Sequence, residues 1–185
     1  MNFNNIKWLK ITDLGISQLY LNEQKIKQIQ EWFSPNEMEN FEPLPVHDFG
    51  NGRYTLTDGH TRAYVAYISG LETVPVVYDN DELVTCKIGQ ALYREDIVWC
   101  ERFNIEGIPD LQNRIISNEK YQELWLERCN LAHNLISQTN EAQRKSLQNQ
   151  HKDLYLFGSS NDLKTLYFEN KSGEFLKFTS TISRR

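Results

Sequence analysis

Apolar positions along this chain change period several times, and each change predicts an element. Ile6-Lys-Trp-Leu-Lys-Ile11 alternates like a strand and runs into the turn Thr12-Asp13-Leu14-Gly15. Ile26, Ile29 and Phe33 then recur at helical spacing, with Asn22 where an N-cap belongs, so a helix is expected over 23–33. Ser34-Pro35-Asn36 stops it, because the residue before a proline avoids the α region. Residues 34–45 read as a loop carrying Glu37, Glu39 and Glu42. Strands are expected over 44–49 and 53–57, joined at Gly50-Asn51-Gly52, a hairpin signal because such turns need positive φ. The second strand leads into Asp58-Gly59-His60-Thr61 and a helix over 62–69 that Gly70 ends. Val74 to Tyr78 reads as a buried strand, Asp79-Asn80-Asp81-Glu82 as a solvated turn, and 83–88 as a further short strand.

The second half is helical and then extended. A helix is expected over 90–103, and Gly107-Ile108-Pro109 breaks it. From Ser117 onward, Tyr121, Leu124, Trp125, Arg128, Leu131, Ala132, Leu135 and Ile136 form an i, i+3, i+4, i+7 ladder. That ladder predicts one long amphipathic helix reaching toward Gln150, either a core element or a dimer seam. Period-two segments over 154–157, 164–168 and 174–178, separated by turns, predict a three-stranded antiparallel meander. The expected class is α+β or α/β: a small mixed sheet with helices over 1–88, a helical segment over 89–150 and the meander over 151–185.

Composition narrows the function classes. The 185 residues are 39% hydrophobic and 24% charged, a globular balance that excludes a disordered chain or a membrane span as the main body. Met1-Asn2-Phe3-Asn4-Asn5 lacks the basic and apolar regions of a secretory signal, so a cytoplasmic protein is expected. The net charge is −5, and all of the excess lies in residues 1–88, with 7 Lys and Arg against 12 Asp and Glu. A duplex-binding surface needs the opposite field, and Arg184-Arg185 is too short a tail to supply it. Cys86, Cys100 and Cys129 are widely spaced and in no CxxC pair, as expected of reduced thiols, and no Cys, His and carboxylate set matches a zinc site.

One stretch carries chemistry. Tyr54-Thr-Leu-Thr-Asp58-Gly59-His60-Thr61-Arg62-Ala63 reads as strand, tight turn and helix start. A helix N-terminus presents unpaired N–H groups and a partial positive charge, which suits phosphate. Gly59 lets the backbone approach a ligand, Arg62 can fork onto phosphate oxygens, and His60 can donate or move a proton. Asp58 can hold Mg²⁺ or act as a base. The plainer reading makes Asp58 or Thr61 an N-cap and pairs Arg62 with a local carboxylate.

The order of these signals resembles the ParB/sulfiredoxin-like superfamily over roughly residues 14–80. The resemblance is carried by Asp58-Gly59-His60-Thr61-Arg62-Ala63, by Gly70-Leu71 with Val74-Pro75-Val76, and by Ile16-Ser17-Gln18-Leu19-Tyr20 as the segment that helps wall the pocket. Partition ParB proteins carry Gly-Glu-Arg-Arg-x-Arg-Ala at this turn, and this chain keeps Gly59 and Arg62 of that pattern but has His60 for the Glu, Thr61 for the first Arg and Tyr64 for the last. Sulfiredoxins carry a reactive cysteine where His60 stands. The chain is nearest to the Asp-Gly-His-x-Arg form of members that phosphorylate free serine, departing from their Asp-Gly-His-His-Arg at Thr61. Those kinases also use an upstream glutamate, for which Glu23 is the nearest candidate.

The resemblance implies a nucleoside di- or triphosphate, with Mg²⁺, held by Gly59, His60, Thr61 and Arg62, with Asp58 and His60 as catalytic groups. The expected function is therefore a phosphotransferase acting on a small-molecule acceptor, or a nucleotide hydrolase. The alternative is a non-catalytic nucleotide- or anion-sensing or protein-interaction module, with homodimerisation through the long helix as one form of it. Partition-type DNA binding is the weakest reading, and no membrane partner is expected. His47 is expected to be structural, and Trp99, Phe103 and Trp125 to be core residues.

Overall fold

The computed structural model describes residues 6–179. The Met1–Asn5 stretch and the Arg184-Arg185 tail lie outside the described residues. Packing divides the chain into two units between Tyr121 and Gln122, where the sequence reading set boundaries after residues 88 and 150. The class is mixed α+β, with a four-stranded mixed sheet in the first unit and a separate three-stranded antiparallel sheet in the second. Among the described residues, no helix is long and apolar enough to cross a membrane.

The first unit begins with β1 (Lys7–Lys10) and a 3₁₀ turn at Ile11–Asp13. A short strand, β2 (Leu21–Asn22), leads into α1 (Glu23–Trp32), where the Asn22 side chain accepts the Gln24 N–H. Strand β3 (Leu44–Asp48) and β4 (Tyr54–Leu56) form the expected hairpin. The Asp48 carboxylate holds its turn by accepting the N–H groups of Gly50, Asn51 and Gly52 at 2.8, 3.1 and 3.0 Å. The Gly50 N–H above all keeps that carboxyl below its usual range. Helix α2 (His60–Ile68) follows, then β5 (Thr73–Tyr78), giving the sheet order β1-β5-β3-β4. Strand β5 runs parallel to β3 and antiparallel to β1. Leu44, Val46, Leu56, Val74 and Val76 from the sheet are buried, as are Ala63, Val65 and Ala66 of α2.

Residues 83–88 are helical and not the expected strand. Helix α3 (Glu82–Thr85) starts where the Asp81 side chain accepts the Leu83 N–H, and α4 (Lys87–Arg102) starts where the Cys86 sulfur accepts the Gly89 N–H. Two local caps outweigh a weak alternation. Beyond a 3₁₀ segment at Ile108–Arg114, β6 (Ile115–Ile116) pairs parallel with β2, and α5 (Asn118–Tyr121) closes the unit.

In the second unit a π-helical turn at Gln122–Leu126 precedes α6 (Glu127–Gln138). Helix α7 (Glu141–Gln148) is separate. The expected single long helix is therefore interrupted. Thr139 is extended, and Asn140 and Gln143 exchange side-chain and backbone hydrogen bonds as a capping box that starts a new helix. Strands β7 (Tyr155–Ser159), β8 (Thr165–Glu169) and β9 (Phe175–Thr179) form the expected meander. Gly158 falls inside β7, where any Cβ would come within 2.6 Å of Leu131 on α6. Trp99 and Trp125 are buried as expected, and Phe103 is half-buried.

Candidate functional site

The Asp58–Arg62 turn joins the end of β4 to α2 and has the conformation the sequence asks for. Gly59 is left-handed at φ 79° and occupies the N-cap position, with no side chain capping the helix. A glycine is required twice over, because a Cβ there would also lie 2.7 Å from Leu44 Cδ2 and 3.0 Å from Arg62 Nη2. The first helical hydrogen bond runs from the Ala63 N–H to the Gly59 carbonyl at 2.9 Å. The N–H groups of His60, Thr61 and Arg62 thus stand at the positive end of α2, ahead of that first bond.

The side chains divide into inner and outer groups. His60 and Thr61 are buried, whereas the side chain of Asp58 is 82% exposed. The His60 ring accepts the Ser17 N–H at Nε2, 3.0 Å away, and the Ser17 hydroxyl donates to the Leu56 carbonyl. Accepting at Nε2 places the ring proton on Nδ1, a buried nitrogen without a partner among the described residues. Burial depresses the His60 pKa to about 4, only partly opposed by Asp58, so the ring is neutral at pH 7. His60 therefore fastens the 14–20 segment to the turn.

Arg62 folds back over Gly59 and meets acidic neighbours. Its Nη1 donates to the Glu42 carbonyl at 3.2 Å and lies 3.7 Å from the Glu42 carboxylate, while Nη2 is 3.9 Å from Asp58. Arg62 thus pairs locally, as the plainer sequence reading has it, at a helix start that no side chain caps. Glu23 is exposed at the first position of α1, and no described hydrogen bond or ion pair joins it to the turn.

A network that sequence reading missed braces the turn from the sheet. The Thr57 hydroxyl donates to Asp79 Oδ2, and the Asp79 carbonyl meets His47 Nδ1 at 2.8 Å. The other His47 nitrogen lies 3.0 Å from the Gln90 amide, which confirms His47 as a buried structural group. From α4, the Tyr93 phenol donates to the Thr57 carbonyl. Burial, and then the carboxylates of Asp79, Asp96, Asp58 and Asp81, push that phenol up to about 12, so it remains a donor. Asp79 is thus a brace for Thr57 and not only a turn residue. Among the described residues, no group of three or more His, Cys, Asp or Glu could hold a metal ion, and Cys86, Cys100 and Cys129 form no disulfide.

No protein-family model matches the chain, and no curated protein matches it. Among solved structures it is similar to the crystal structure of protein Atu1540 from Agrobacterium tumefaciens, with 16% identity and a TM-score of 0.41. That likeness covers 65% of each chain.

Proposed function

We propose that the first turn of α2 binds the phosphates of a nucleoside di- or triphosphate, in a unit of ParB/sulfiredoxin-like type. The observation that carries this reading is the helix start itself. It combines a left-handed glycine, no side-chain cap, three N–H groups ahead of the first helical bond, and a guanidinium folded over the glycine. Phosphate oxygens would accept those N–H groups, and Arg62 would add charge-assisted hydrogen bonds. Glu42 must give way, since its carboxylate competes for the same guanidinium.

Mg²⁺ fits here only as a partner of the phosphates with Asp58, because Mg²⁺ needs just one or two carboxylates when phosphates complete its shell. It would supply charge neutralisation on the transferred group. In a phosphotransferase or hydrolase reading, Asp58 either holds that ion or accepts the proton of the attacking hydroxyl or water. His60 has a positioning role, since its ring is neutral and already engaged by Ser17. That same observation favours a second reading, in which the turn binds the nucleotide without turnover.

Calorimetry and thermal shift with ATP, ADP, CTP, GTP and inorganic phosphate, each with and without Mg²⁺, test the site. A ligand at 100 times its Kd stabilises the fold by about 2.7 kcal/mol. We expect a base-selective shift in the wild type that disappears in Arg62→Ala. No shift with any ligand, or one unchanged in Arg62→Ala, overturns the assignment. Turnover lost in Asp58→Asn decides for the enzyme, and binding without turnover decides for the sensor.

A further inference from the structure

A second feature of the first unit lies outside the Asp58–Arg62 turn. A cavity of about 350 Å³ opens between the segment that runs beside β4 and the C-terminal half of α4, and none of the turn residues lines it. Its size is at the low end for small-molecule sites. Gly15 and Thr55 lie together in its wall, paired by an isolated parallel bridge. Thr55 is only 1% exposed, yet its hydroxyl makes no hydrogen bond among the described residues. The hydroxyl lies so near Gly15 that a Cβ there would come within 2.5 Å of it. A wall hydroxyl without a protein partner is free to bond to a molecule in the cavity. The apolar wall comes from Ile16, Ile97 and Ile105.

The charged lining is unequal. Arg53, Glu101 and Glu106 all border the cavity. The Arg53 guanidinium is tied to three carbonyls, those of Asp13, Leu14 and Glu106, at 3.1, 2.9 and 2.8 Å. The carboxylates of Glu101 and Glu106 have no cationic partner among the described residues. Two glutamates against one arginine give the residues that border this isoleucine-lined space a net charge of −1.

We propose that this cavity binds a small primary-amine cation with a short alkyl body. Its ammonium is drawn to the Glu101 and Glu106 carboxylates and its carbon chain lies against Ile16, Ile97 and Ile105. One positive charge neutralises the lining, and an ammonium has three donors, enough for two carboxylates and the Thr55 hydroxyl. An uncharged alcohol of the same length can fill the apolar part but leaves the negative charge uncompensated. An anion is repelled by it.

The probe is n-butylammonium, with n-butanol as the uncharged match, titrated at constant ionic strength into the full ¹⁵N-labelled chain. Saturable shifts are expected at the amides of Gly15, Ile16, Thr55 and Glu106 with the ammonium, and weaker ones that need more ligand with the alcohol. Glu101→Gln and Glu106→Gln alter exposed side chains, so their folds can be checked in the same spectra. Each is expected to weaken binding by up to about fivefold, the size of one exposed ion pair, and added salt is expected to weaken it further. The proposal is overturned if the alcohol gives the same saturable shifts, if Glu101→Gln and Glu106→Gln together leave the affinity unchanged, or if no saturable shift occurs at these amides.

Discussion

Each unit of this chain carries an arginine beside a glutamate, and the two pairs are built differently. In the second unit Arg128 Nη2 lies 2.8 Å from Glu169, with the side chains 1% and 0% exposed. The guanidinium also sits 5.2 and 5.6 Å from the ring centres of Phe157 and Phe175. In the first unit Arg62 lies 3.7 Å from a glutamate, Glu42, whose side chain is 87% exposed. The buried pair is shut off from solvent and ties α6 to β8. The exposed pair is loose, stands at an uncapped helix start, and can exchange its carboxylate for a ligand's oxygen. A short buried contact is architecture here, and the long exposed one lies at the turn proposed to bind phosphate.

Breaking the buried pair has the largest expected effect. Arg128→Met leaves the Glu169 carboxylate without its charge partner in a dry interior, and such breaks cost about 3–5 kcal/mol. Hydrogen exchange at the β7–β9 amides should accelerate accordingly. Arg128→Met with Glu169→Leu should recover most of the loss, because replacing both charges by apolar groups of similar volume is close to neutral. If the single substitution leaves exchange in β7–β9 unchanged, the buried pair does not hold this unit.

His60 is the first unit's counterpart of that buried pair, a buried polar group that stays neutral instead of charged. Its folded pKa, about 4, is below the unfolded value of 6.5. Above pH 6.5 neither state takes a proton, so the ring imposes no pH dependence. As pH falls from 6.5 toward 4, the unfolded state is protonated first and stability drops, by roughly 3 kcal/mol across the whole window. Below about 4 the contribution levels off. Urea melts at pH 7.5, 5.5 and 4.5 should show this slope in the wild type and a flatter one in His60→Gln, whose amide oxygen can still accept the Ser17 N–H. Equal slopes would mean that His60 titrates like an exposed histidine.

Local signals make much of this fold legible in the sequence. Asn22, the Gly50-Asn51-Gly52 turn and the Gly59 turn announce their elements because each is set within a few residues. The break at Thr139 is equally local, in Asn140-x-x-Gln143, although the apolar ladder before it has the period of one long helix. Asp81 and Cys86 likewise carried cap signals that outweighed a strand pattern. Other features had no local signal at all. The β2–β6 pairing joins residues more than ninety apart, and so does the bond between Asn22 and Asn118. At the site, Gly59 and Arg62 were readable from their spacing, but the Ser17–His60 bond, the Asp79–Thr57 brace and the Glu42 contact arise only from folding.

Two glycines sharpen the contrast between open and filled places. Gly59 and Gly70 flank α2 with similar left-handed φ values, 79° and 87°. An alanine at either pays the left-handed penalty, about 1–2 kcal/mol. A Cβ at Gly70 would meet nothing within 4 Å, so Gly70→Ala should lose only that amount. Gly59→Ala must also displace Leu44 and the Arg62 guanidinium, so it should lose more and should abolish nucleotide binding, which Gly70→Ala should leave intact. Equal losses in the two melts would show that the turn is less tightly packed than its distances imply.

The smallest effect separates the two ion pairs most directly. Glu42→Gln removes a charge that is largely in water, and exposed pairs contribute about 0–1 kcal/mol. Its melting curve should therefore stay near the wild type, unlike that of Arg128→Met. The Glu42 backbone carbonyl still accepts from Arg62, so the guanidinium keeps its place over Gly59. What changes is the competition, since an incoming phosphate no longer displaces a carboxylate. Affinity for the nucleotide that binds the wild type should rise by up to about fivefold, the equivalent of that same ion pair, and the gain should shrink as salt screens both interactions. Weaker binding in Glu42→Gln would place the Glu42 carboxylate among the groups that assemble the site instead of those that guard it. The first unit's arginine would then belong with Arg128 as a piece of architecture.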